Sequence, residues 1–198
     1  MFPLGNVIFP FSGVPLRVFE PRYQQLLDEV LDLDCSFGTV LIERGFEVGG
    51  GDVRFDVGTR LRVLAHQRLP GGHRAILVEG TQRLRVTAWL PDDPHPWADV
   101  VPLPDVPCDV AAVLAGVTSR LRMAMALASE LGADTAGVDL ELGDDPVAAS
   151  YRAAALAPVS PLDSYALLAA PGPRERLHLV DEMLEDQIEL MRLRLAGG

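Results

Sequence analysis

Arg74-Ala75-Ile76-Leu77-Val78-Glu79 and Arg83-Leu84-Arg85-Val86-Thr87-Ala88-Trp89, separated by Gly80-Thr81-Gln82, form the stretch that decides the fold class. Both runs are short and β-rich, and a three-residue connection containing glycine predicts a hairpin with a bulge. Just before them, Pro70-Gly71-Gly72 supplies a tight turn. Upstream of that turn, Val57-Gly58-Thr59-Arg60-Leu61-Arg62-Val63-Leu64 alternates apolar and polar residues at its centre, the period of a half-buried strand. Ser36–Ile42 and the apolar Leu4–Phe9, closed by Pro10, read as further strands, and a return strand around Trp97–Leu103 fits at a sheet edge between prolines. One helix interrupts the series. It opens at Pro21, and Tyr23, Leu26, Leu27, Val30 and Leu31 recur at the spacing of a single apolar face.

Beyond Asp109 the period changes to helical. Val110, Val113, Leu114, Val117, Leu121, Met125, Ala128 and Leu131 mark a long helix that Asp109 caps and Gly132 stops. Asp145-Pro146 and Ser160-Pro161 each place a capping residue before a proline at the first helical position. A last helix from about Pro173 to Leu195 carries Leu177, Val180, Leu184, Ile188, Met191 and Leu195 on one seam, which predicts an intramolecular bundle in preference to a coiled coil. The chain is therefore expected to be α+β, with a β domain over residues 1–104 and a helical bundle over 105–198. The aromatic residues follow this division, since only Tyr151 and Tyr165 lie beyond residue 105.

The charge is acidic, −11 overall, with 10 Arg against 13 acids in residues 1–104 and 7 against 15 in residues 105–198. Nucleic acid and anionic membrane both require concentrated positive charge, so neither is an expected partner. All 17 basic side chains are Arg. Without lysine there is no P-loop, Ser–Lys dyad or Schiff-base chemistry, because each needs an amine. Cys35 and Cys108 are far apart and outside any metal-ligand spacing, as in a reduced protein. No signal sequence is recognisable, and no stretch reads as membrane-spanning. The expected location is the cytoplasm.

Catalytic, metal and cofactor sites are all expected to be absent. His66, His73, His95 and His178 are dispersed, no serine sits in a nucleophile elbow, and Gly49-Gly50-Gly51 reads as a hairpin tip. Arg60, Arg62, Arg83 and Arg85 alternate with apolar residues and are expected to pair across strands with acids such as Asp56 and Glu79. A basic row that binds RNA is the alternative. Phe9-Pro10-Phe11, followed by Val14, is too apolar for a solvated loop; it divides between core and a peptide-binding patch.

Phe2-Pro3-Leu4-Gly5-Asn6-Val7-Ile8-Phe9-Pro10, then Leu16-Arg17-Val18-Phe19-Glu20-Pro21-Arg22-Tyr23, Val57-Gly58-Thr59 and Val78-Glu79-Gly80-x-x-Arg83 together resemble the N-terminal domain of the ATP-dependent Lon proteases, peptidase family S16. The form of the second motif is especially similar to the stand-alone bacterial proteins of that family. The resemblance implies a PUA-like β pseudo-barrel with one helix, followed by a helical bundle. It also implies a non-catalytic module that recognises unfolded or apolar polypeptide segments, with a separate protease as a further partner. Glu20, Arg22 and Tyr23 are expected to fix the entry to the first helix. No ATPase or protease module is recognisable in the 198 residues, which agrees with the missing lysine. An RNA-binding PUA-like protein is the alternative, and a small-molecule-binding protein or hydrolase is less favoured; the oligomeric state is open.

Overall fold

The computed structural model describes residues 1–47, 50–134 and 140–197. Gly49, part of the expected hairpin tip, lies outside the described residues. The chain forms two compact units, Met1–Pro104 and Asp105–Gly198.

In the first unit, β1 (Gly13–Val18), β2 (Ser36–Arg44), β3 (Val53–Arg68), β4 (Arg74–Leu90) and β5 (Trp97–Pro102) make one antiparallel sheet in the order β1-β4-β3-β2, with β5 also on β4. The expected hairpin at Gly80-Thr81-Gln82 is not there. β4 runs straight through it, pairing with β1 along Arg74–Glu79 and with β5 along Leu84–Leu90. Gly80 serves a close approach instead of a turn. A Cβ on it would lie 2.2 Å from the Phe9 carbonyl oxygen, and the Gly80 amide and carbonyl bond Ser12 and Phe11. Only glycine leaves room for the Phe9–Ser12 backbone there. The turn at Pro70-Gly71-Gly72 does join β3 to β4, through one turn of 3-10 helix.

The expected strand Leu4–Phe9 is displaced towards the N-terminus. Phe2 and Leu4 donate to Gly38 and Val40 of β2, and Ile42 donates to Leu4, so Phe2–Leu4 lies along the outer edge of β2. Phe11, with φ of 63°, then turns the chain into β1.

α1 (Pro21–Leu31) buries Tyr23, Leu26 and Leu27 among Phe2, Ile8, Val18, Phe37, Leu61 and Val78. Each fully buried leucine contributes about 2 kcal/mol. A smaller cluster of Val40, Leu84 and Val86 packs with Met1, Trp89 and Ala98.

The second unit comprises α2 (Ala111–Glu130), α3 (Pro146–Leu156), α4 (Pro161–Ala169) and α5 (Pro173–Gly197). α3 and α4 start at the expected caps. Asp145 accepts from the Ala148 amide, and Ser160 with Asp163 completes a capping box. α2 starts one residue later than expected, with Val110 at the cap and Asp109 accepting from the Ala111 amide. Leu177, Val180, Leu184, Ile188 and Met191 of α5 are buried, as are Val117 and Leu121 of α2. By length and composition α2 is apolar enough to cross a bilayer, which corrects the reading that no stretch is. Its Arg120 pairs with Asp181 of α5.

Arg176 of α5 is wholly buried. It donates from Nε to the Leu167 carbonyl at 3.0 Å, from one terminal nitrogen to Ser150 Oγ at 2.7 Å, and from the other to Asp105 at 2.9 Å. Its guanidinium lies 3.7 Å from the centre of the Tyr151 ring, and the Tyr151 hydroxyl donates to the other oxygen of Asp105. One side chain thus ties α3, α4, α5 and the segment before α2 together.

Candidate functional site

The residues expected to bind peptide separate by burial. Phe9 and Pro10 are buried and close over Gly80, whereas Phe11 is exposed and Val14 is half-buried. Val14 belongs to β1, an edge strand whose inward residues Val14, Leu16 and Val18 alternate with Gly13, Pro15 and Arg17. Pro15 has no amide to give the β4 ladder, as suits an edge strand. A cleft of about 390 Å³ lies between β1 and the N-terminal segment, lined by Phe2, Leu4, Ile8, Val14, Leu16 and Tyr23, with Arg17, Glu20 and Glu47 among its charged groups.

The helix-entry residues meet at this cleft. Glu20 caps α1 without a side-chain bond to its amides and instead accepts from Arg22 Nε at 3.2 Å. Arg22 also donates to the Glu47 carbonyl and lies 4.5 Å from the centre of the Tyr23 ring. Tyr23 packs against Phe2 at 4.2 Å, and burial pushes its hydroxyl up to about 12. It therefore stays protonated at neutral pH and acts as a packing group.

A second cleft of about 410 Å³ lies between α1 and β5. Leu26 and Val30 come from α1 and Leu33 from the turn just after it; Trp97, Val100 and Pro102 come from β5; Phe37 and Leu84 line it from β2 and β4. His95, dispersed in sequence, is buried here, with Nε2 at 2.9 Å from Glu29 and its ring 4.8 Å from that of Trp97. The bond from His95 holds the Glu29 carboxyl below its ordinary value. Ser36 also lines the cleft, but its hydroxyl donates to the Asp34 carbonyl while His95 is taken up by Glu29 and the Pro96 carbonyl. The serine and histidine are thus not joined as a nucleophile and its base.

The four alternating arginines do not form one solvent-facing row. Arg83 is buried opposite Thr59 and donates to the Leu103 carbonyl. Arg62 pairs with Glu79 directly across the strands at 2.8 Å, and Arg60 pairs with Asp34. Among the described residues no cluster of His, Cys, Asp and Glu is suited to a metal ion, and both cysteines are free thiols. What both clefts offer is apolar contact, exposed sheet edge and a few charges, which suits recognition of polypeptide.

The family profile described as the ATP-dependent protease La (LON) substrate-binding domain matches residues 1–186. The chain is 28% identical over 203 residues to Lon protease 2 of Sorangium cellulosum and 27% identical over 199 residues to the Lon protease of Escherichia coli K12. Each alignment covers 98% of this chain and 25% of the relative, so the chain spans about a quarter of their length. A crystal structure of a Lon N-terminal domain protein from Xanthomonas campestris is 26% identical, with a TM-score of 0.63 over 89% of this chain and 92% of that one. The N-terminal domain of a Mycobacterium avium complex Lon protease shares the fold at 17% identity, with a TM-score of 0.65 over 93% and 97% of the two chains. The chain belongs to the LON substrate-binding domain family.

Proposed function

We propose that this chain is a non-catalytic polypeptide-recognition module that holds apolar segments of unfolded proteins in the cleft between its N-terminal segment and β1. In this reading residues 1–104 are a PUA-like pseudo-barrel, residues 105–198 a helical bundle domain, and the protein works in the bacterial cytoplasm alone or beside a separate protease. The observation that carries the reading is an apolar cleft of about 390 Å³ against an edge strand, in a chain of a substrate-binding family. Val14, which lines the cleft, and Phe11, exposed outside its lining, are the contacts expected to matter, whereas Phe9 and Pro10 act by shaping the turn before β1.

The test is retention of a permanently unfolded polypeptide, reduced and carboxymethylated α-lactalbumin, by the purified chain. Binding in the ~10–100 μM range is expected, with a loss of about tenfold in Val14→Ser combined with Phe11→Ser. A folded protein that retains nothing at those concentrations overturns the reading.

A further inference from the structure

The last turn of α1 and the residues that follow it read Asp28-Glu29-Val30-Leu31-Asp32-Leu33-Asp34, with no basic residue in the last turn. That is the reverse of the usual arrangement. The last carbonyls of a helix carry partial negative charge and are normally matched by cations. Here Glu29, bonded to His95, and Asp34, paired with Arg60, line the cleft between α1 and β5 together with those partners, and Asp32 is exposed next to them in sequence. The Asp34–Arg60 pair relieves little of this field, because the two side chains are 59% and 44% exposed and solvent screens them.

The same cleft exposes three apolar side chains. Leu33 is 81% exposed, Trp97 46% and Val100 43%, although all three line one concavity. Single exposed apolar residues are ordinary, but several converging on one groove mark a surface that is covered in use. β5 adds an edge, since among the described strands it pairs only with β4. A groove floored by Phe37 and Leu84, walled by an exposed tryptophan and closed by an acidic helix end selects a particular ligand chemistry.

We propose that this groove docks an extended apolar peptide segment carrying Lys or Arg next to its apolar anchor. The anchor side chain packs between Leu33, Trp97 and Val100, and the neighbouring cation sits against Glu29, Asp34 and the last carbonyls of α1. The inference rests on the polypeptide-recognition reading and adds to it a second subsite with a charge preference. Because it uses a different cleft, the two fail separately.

Two fluorescein-labelled decapeptides test it, sharing a Leu-Phe-Leu core and flanked by either Lys-Lys or Glu-Glu. By anisotropy at ~50 mM salt the Lys-flanked peptide is expected to bind about tenfold tighter, with the advantage shrinking at ~0.5 M as charges are screened. Leu33→Ser and Trp97→Ser are each expected to weaken both peptides about tenfold. Asp34→Asn removes most of the preference for lysine. Leu33 is mostly exposed, so its replacement leaves the fold intact.

Equal binding of the two peptides overturns the proposal, as does binding unchanged in both Leu33→Ser and Trp97→Ser. Self-association that disappears in Leu33→Ser without change in peptide binding assigns the groove to a second copy and also overturns it. If neither decapeptide binds while carboxymethylated α-lactalbumin is retained and released by the β1 substitutions, this subsite fails and the broader reading stands. If nothing is retained, both fail.

Discussion

The two units of this chain are held by opposite means. Residues 1–104 depend on backbone approaching backbone within a sheet: glycine at 58 and 80 lets carbonyl oxygens of Thr39 and Phe9 come where a Cβ would clash, at 2.0 and 2.2 Å. Residues 105–198 depend on one buried cation, Arg176, satisfied by Leu167, Ser150 and Asp105. The first means specifies strand register by the exclusion of side chains. The second demands a complete set of partners, because an unpaired buried charge is far more costly than an apolar substitute.

The largest expected effect follows from breaking that set. Arg176→Met keeps an unbranched apolar stem but leaves the Asp105 carboxylate buried, and is expected to destabilise the helical unit by about 3–5 kcal/mol. Spectroscopy separates the units, since Trp89 and Trp97 both lie in the first. In urea titration the helical circular dichroism is expected to be lost early in this variant, while the tryptophan transition stays in place. A joint shift of both signals breaks the comparison. The double variant Arg176→Met with Asp105→Asn is expected to recover part of the loss.

Gly80→Ala is next. Its Cβ meets the Phe9 carbonyl, which has little freedom because the flanking Phe11 and Ser12 are bonded to Gly80 itself. Overpacking of this kind costs about 1–3 kcal/mol. The tryptophan transition is expected to move to lower urea, and the helical signal to keep a component that melts at the original midpoint.

Helix starts, the change of period near residue 105 and the placement of most strands were legible in sequence because each is a local signal. Asp145-Pro146 and Ser160-Pro161 announce their caps within four residues, and α1 displays its buried face by spacing alone. The misread hairpin at Gly80 shows the limit. A glycine that permits a turn and a glycine that permits a close approach look identical until the distant partner, here Phe9, is in place. Arg176 was hidden for a related reason. It stands four residues before Val180 on the buried side of α5, but its partners come from three other segments. The β1 cleft was partly legible through Val14. The α1–β5 groove was not, because Leu33, His95 and Trp97 converge only through the antiparallel register of β4 and β5.

Tyr151→Phe probes the polar node more gently. It removes the hydroxyl that donates to Asp105 while leaving the ring under the Arg176 guanidinium. A lost bond to a buried charged group costs about 1.5–3 kcal/mol at full strength, and the remaining Arg176 contact moderates that here. About 1–2 kcal/mol is expected in the helical transition, below the effect of Arg176→Met and without movement of the tryptophan signal.

The smallest expected effect is a pH dependence in the first unit. The bond from His95 holds Glu29 below its ordinary 4.5. Burial pushes Asp52 upward, but its bonds with Arg54 outweigh this and leave it below 3.8. A carboxyl whose folded-state value is lowered binds fewer protons folded than unfolded. Its stabilisation is therefore fully present above the ordinary value and lost as pH falls through the lowered one. The tryptophan-monitored urea midpoint is expected to fall as the pH drops below about 4.5. Glu29→Gln should lower the midpoint at pH 6 and make the decline on acidification shallower. An unchanged slope in that variant would show that the Glu29–His95 contact, which also shapes the groove beside Trp97, contributes nothing to holding the sheet unit together.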